Sequence, residues 1–198
     1  GQVGQIENPD ARVSLSDTFR ISSLSDYASG SKGITTNDDP LFVQMSWEQS
    51  GVASGWEFFQ STVNSTSFYG GCENIVRYEN GRGMMRSLAR QQDRDRRRDM
   101  QGNAVWGKTG IAVSCIGDLP VALYKGSKFD TNVSVVNPQN DNHLPAIWSF
   151  CSSPEYNKSV RQIDQSLKVT NATLVKVPFD LDHWTRVAAE RYPDGLPR

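Results

Sequence analysis

Seven arginines fall between Arg82 and Arg98, at positions 82, 86, 90, 94, 96, 97 and 98, against only Asp93 and Asp95. The 198-residue chain has a net charge of −1, so this local excess of five leaves about −6 for the rest. Placed at about 100° per residue on a helix, Arg86, Arg90, Arg94 and Arg97 share a sector of about 80°. Four guanidinium groups on one face suit phosphate oxygens or guanine edges, where bidentate geometry helps. The same run also reads as a solvated helix with internal Arg–Asp pairs, such as Asp93 with Arg97. A second basic set, Lys108, Lys125 and Lys128, falls in turns between strand-like runs. Loops at a sheet edge are natural DNA-contacting elements, and loop lysines are also ordinary surface residues.

Other chemistry is sparse. His143 and His183 lack second ligand-type residues at metal spacing, and each reads as a lone surface histidine near a helix start. There is no Gly-x-Ser-x-Gly elbow, no phosphate-binding loop and no Gly-rich dinucleotide turn. Cys72, Cys115 and Cys151 are widely spaced and read as buried reduced thiols. The sequons at Asn64, Asn132, Asn157 and Asn171 read as chance matches, because nothing resembles a signal peptide or a membrane helix. The expected location is cytoplasmic.

The elements that must position these residues divide the chain in two. Residues 1–140 read as a β-rich body and 141–198 as a helix–strand–helix segment packed on it. Residues 1–55 are turn-rich, with a short helix near Leu24–Ala28. Strands are expected over Trp56–Val63, Ile75–Tyr78, Gly110–Ile116, Val121–Tyr124 and Val133–Val136. Gly81 and Gly83 precede a basic helix over about 84–100, whose later turns lose their apolar side and so project into solvent. Pro145 opens one helix. Ser152, Pro154 and Glu155 start another, with Tyr156, Val160, Ile163 and Leu167 as its apolar stripe. Thr173, Val175 and Val177 alternate, predicting a strand over Asn171–Pro178, and Asp180 caps a last helix carrying Leu181, Trp184, Val187 and Ala188. The class is α+β.

Several stretches resemble a known family. Gly33-Ile34-Thr35-Thr36-Asn37-Asp38-Asp39, followed by Phe42-Val43 and Trp47-Glu48, is similar to the segment opening the specificity region of large adenine-specific DNA methyltransferases. These are the type IIG restriction–modification enzymes and their relatives in BREX and phage-growth-limitation defence. Tyr69-Gly70-Gly71 with Ile75–Gly81, Trp106–Ser114, Lys128-Phe129-Asp130, Leu144–Glu155 and Thr170–Pro178 resemble later blocks, in family order. Thr36-Asn37-Asp38-Asp39 stands where the family has Thr-Gly-Asp-Asn.

The resemblance implies a target recognition domain that reads DNA sequence and holds the duplex while an adenine is flipped out. The Asn/Asp-Pro-Pro-aromatic loop of the catalytic domain is missing. Asn8-Pro9-Asp10-Ala11 and Asn137-Pro138-Gln139-Asn140 lack its second proline and aromatic. The chain is therefore expected to hold no cofactor and perform no methyl transfer itself. S-adenosylmethionine would belong to the catalytic domain of a parent protein. The expected partners are duplex DNA, through Arg86, Arg90, Arg94, Arg97, Lys108, Lys125 and Lys128, and that catalytic domain. The alternative is a protein-interaction module docking through Leu144–Trp184, which exposed Trp148, Phe150 or Trp184 would favour. An enzyme in its own right is the third reading, and the missing motifs oppose it.

Overall fold

The computed structural model describes residues 22–50, 52–91 and 98–197. In chain order the strands are β1 (Ala28–Lys32), β2 (Val43–Met45), β3 (Trp56–Gln60), β4 (Asn74–Arg77), β5 (Gly110–Ser114), β6 (Val121–Tyr124), β7 (Lys128–Phe129) and β8 (Val133–Pro138). The α-helices are α1 (Asp39–Phe42), α2 (Met84–Gln91), α3 (Leu144–Cys151), α4 (Pro154–Ile163), α5 (Asn171–Val175) and α6 (Leu181–Arg191). The class is α+β, with two four-stranded sheets. One is antiparallel in the order β1-β8-β5-β6. The other runs β2-β4-β3-β7, with β3 and β7 parallel.

The first sheet is covered on both faces, which explains why β5, β6 and β8 are nearly continuous apolar runs. Ile111, Val113, Val121, Leu123 and Val136 meet Ile147, Phe150, Tyr156 and Trp184 from the C-terminal helices. On the other face, Ala112, Tyr124, Val133 and Val135 meet Val105 and Phe129, the latter from the second sheet. Each large side chain so buried contributes roughly 1.5–3 kcal/mol of transfer free energy. The segment expected as 141–198 therefore shares one core with β1, β5, β6 and β8.

Trp148, Phe150 and Trp184 lie inside that core and form no exposed patch. Cys115 and Cys151 are buried thiols as expected, whereas Cys72 is exposed. β1 was not foreseen, because Ala-Ser-Gly-Ser-Lys lacks β-formers. It pairs with β8 throughout, and the short helix expected near Leu24–Ala28 is a single 3-10 turn, Leu24–Asp26.

Two expectations fail in the C-terminal segment. Asn171–Val175 is helical, because the Thr170 hydroxyl accepts the Thr173 N–H at 3.3 Å and caps a helical turn. The expected alternation survives only from Val175 to Phe179, where the Leu24 N–H donates to the Val177 carbonyl at 2.9 Å. In α4 the cap is Ser153, not Ser152. Tyr156 and Val160 are buried, but α4 stops at Ile163, leaving Ile163 and Leu167 exposed.

Candidate nucleic-acid interface

Helix α2 is held at its start by Glu79, whose carboxylate accepts the Met84 N–H at 2.9 Å and pairs with Arg77 at 3.1 Å. Gly83 makes room, since a Cβ there would lie 1.8 Å from the Glu79 carboxylate. Met85 is buried, and with Leu88 it packs α2 onto Phe42, Phe59, Val76 and Tyr78. One face of the helix is thereby fixed to the second sheet, and the arginines take the remaining directions.

They do not form one open stripe. Arg86 donates two hydrogen bonds to Asp99, at 2.7 and 2.9 Å, and Asp99 is buried. A straight helix would separate residues 86 and 99 by about 20 Å, so the expected single helix over 84–100 is not present. Arg98–Met100 is a 3-10 turn returned to the body, where the Thr35 N–H donates to the Arg98 carbonyl at 3.2 Å. Arg94 and Arg97 lie outside the described residues. Arg82, Arg90 and Arg98 are exposed, and none forms an ion pair among the described residues. Arg98 lines a cleft of about 140 Å³ with Thr36, Asn37, Asp38 and Met85. Asn37 holds φ 65° there, the left-handed region that glycine favours and asparagine tolerates.

The three lysines have different surroundings. Lys128 is enclosed: its ammonium lies 3.9 Å from the Trp106 ring centroid, 5.0 Å from that of Tyr78 and 2.9 Å from the Glu57 carboxylate. It fastens β7 to β3 and has 13% of its side chain exposed, so its charge is spent internally. Tyr78 in the same cluster is pushed up to about 12, first by burial and then by Asp99 and Glu57, and stays a neutral phenol. Lys108 is exposed, and Lys125 sits 4.7 Å over the exposed Tyr69 ring. Their turns lie side by side because the Gly107 N–H donates to the Gly126 carbonyl at 2.8 Å. A Cβ on Gly126 would come within 2.7 Å of Gly107.

Sequence reasoning missed that Lys125 shares a groove of about 410 Å³ with Trp47, Tyr69 and Cys72. No sequence signal joins positions 47, 69 and 125; loop bonds bring them together, the Ser46 N–H donating to the Glu73 carbonyl at 2.8 Å and the Leu123 N–H to the Phe68 carbonyl at 3.2 Å. His183 is exposed, and His143 is half-buried with its ring edge against Tyr27. No cluster of three metal-ligating side chains occurs among the described residues. No helix among them is long and apolar enough to cross a membrane. Comparison with family models and with curated proteins found no match for this chain.

Proposed function

We propose that this chain is a DNA target recognition domain of an adenine-specific methyltransferase in a cytoplasmic restriction–modification or phage-defence system. The observation that carries the reading is the set of exposed guanidinium groups Arg82, Arg90 and Arg98, which form no ion pair among the described residues, on elements anchored to the second sheet. Exposed guanidinium groups held on a rigid base are suited to phosphate and guanine contacts. The ordered sequence blocks add the methyltransferase context. Asn37 supports the first block, because it adopts the backbone conformation for which the family uses glycine. In this reading methyl transfer and S-adenosylmethionine belong to a catalytic domain that this one accompanies, and Lys108 and Lys125 extend the DNA contact.

The test is duplex binding at about 50 and 200 mM salt by the intact chain and by an Arg82/Arg90/Arg98→Ala variant. Arg86 is left untouched because it holds Asp99. Affinity falling steeply with salt, and a shallower slope in the variant, are the expected results. Salt-independent binding, or a variant that binds as well as the parent, would overturn the reading.

A protein-docking role is favoured by a different observation. Trp47, Phe58 and Tyr69 are each more than half exposed, and large aromatics left in water suit a protein interface. Leu144–Trp184, the surface first expected for docking, contributes its aromatics to the core instead.

A further inference from the structure

Three parts of the chain meet beside Lys32, at the end of β1. Gly30 and Gly33 permit the approach. A Cβ on Gly30 would lie 2.4 Å from the Asn171 carbonyl oxygen, and one on Gly33 would lie 2.2 Å from that of Asp130. The Asn171 side-chain amide donates to the Gly30 carbonyl at 2.8 Å, and the Val169 N–H donates to the Cys115 carbonyl at 2.9 Å. Between these segments lies a pocket of about 290 Å³ whose walls include Lys32, Thr131, Ser134, Lys168 and Thr170.

The charge in this pocket is largely uncommitted. Lys168 donates to the Asn132 side-chain oxygen at 2.8 Å, and two of its three N–H groups remain. Lys32 is exposed and forms no ion pair among the described residues. The carboxylate joined to this network is Asp130, which accepts from the Asn132 amide at 3.0 Å, and burial holds its carboxyl above the usual range. Both lysines also act on the Cys115 thiol at the pocket wall, where burial nonetheless raises its pKa. Two ammonium groups with hydroxyls around one concavity suit an oxyanion with several acceptor oxygens.

We infer that this pocket binds a phosphate group. The inference names a backbone contact for the proposed duplex and to that extent rests on the DNA-binding reading. A free phosphorylated molecule presents the same chemistry. Position favours the backbone. Lys32 precedes Thr35 by three residues, hence lies within about 10 Å of it, and Thr35 bonds the Arg98 carbonyl. Lys32 and Arg98 thus flank one short segment, placed to meet neighbouring phosphates of one backbone.

Two measurements on the intact chain test this, alongside Lys32→Ala/Lys168→Ala. Inorganic phosphate, exchanged for chloride at constant ionic strength, is expected to shift the amide resonances of Lys32, Thr131 and Lys168–Thr170 saturably, and not in the variant. Duplex binding by the variant is expected to show a salt slope smaller by about one. Saturable phosphate shifts without any duplex binding would support the pocket, make a free phosphorylated ligand its source and remove the DNA reading. Duplex binding with the same slope in chain and variant, and no phosphate shifts, would overturn the pocket and leave the DNA reading standing. The phosphate titration of the unmutated chain decides even if the variant does not fold.

Discussion

Replacing Asp99 by alanine is expected to cost about 3 kcal/mol in urea unfolding, because Arg86 would keep its largely covered charge without the carboxylate it now grips. Arg90→Ala, on the open side of the same helix, is expected to change stability by less than about 0.5 kcal/mol. Equal, small costs at both positions would mean that the Arg86–Asp99 pair behaves as a solvated one. Asp130 carries a pH dependence. Burial holds its carboxyl above the ordinary 3.8, against hydrogen bonds from Asn132 and Thr131. The folded state therefore favours the protonated acid. That stabilisation is complete below the ordinary carboxylate value and is lost as pH rises through the raised one. Asp130→Asn should gain stability over the parent at pH 7 and little at pH 4; a difference independent of pH would refute the assignment. At this scale the sequence was partly legible. The arginine excess was visible, but the grip of Arg86 on Asp99 was not, since the two lie thirteen positions apart and no sequence pattern joins them.

At the scale of elements, caps and turns decided what periodicity could not. Alternation at Thr173, Val175 and Val177 pointed to a strand, and one hydroxyl at Thr170 was enough to start a helix instead. Thr170→Ala is accordingly expected to cost about 1 kcal/mol, read from the shift in thermal midpoint; an unchanged midpoint would show that tertiary contacts alone hold α5. Where packing and pattern agreed, the sequence was a good guide. β6 and the helix capped by Asp180 lie where the apolar spacing puts them. β1 escaped notice because its Ser and Gly residues owe their extended shape to β8 rather than to their own preference.

For the whole molecule, residues 141–198 add their apolar side chains to the core of the strands before them. β1 and β8 are neighbours, and α3 and α6 pack on the sheet they help form. A fragment ending at Met100 lacks β5, β6, β7 and β8, and is expected to show no cooperative unfolding transition by circular dichroism. A sharp transition would mean that the second sheet is an independent unit. The α+β class was readable from composition and punctuation. The two-faced burial of the first sheet was readable only as unusually apolar strands, whose partners lie far away in the chain.

That distance sets a clock during synthesis. Ala28 pairs with Pro138, about 110 residues later, and translation at about 5–20 residues per second takes roughly 5–20 s to cover that interval. Throughout it β1 has no strand to join, and the Gly30 carbonyl waits still longer for the Asn171 amide. The serines, glycine and lysine of β1, poor material for a strand, are for the same reason poor material for pairing with the wrong chain on a crowded ribosome.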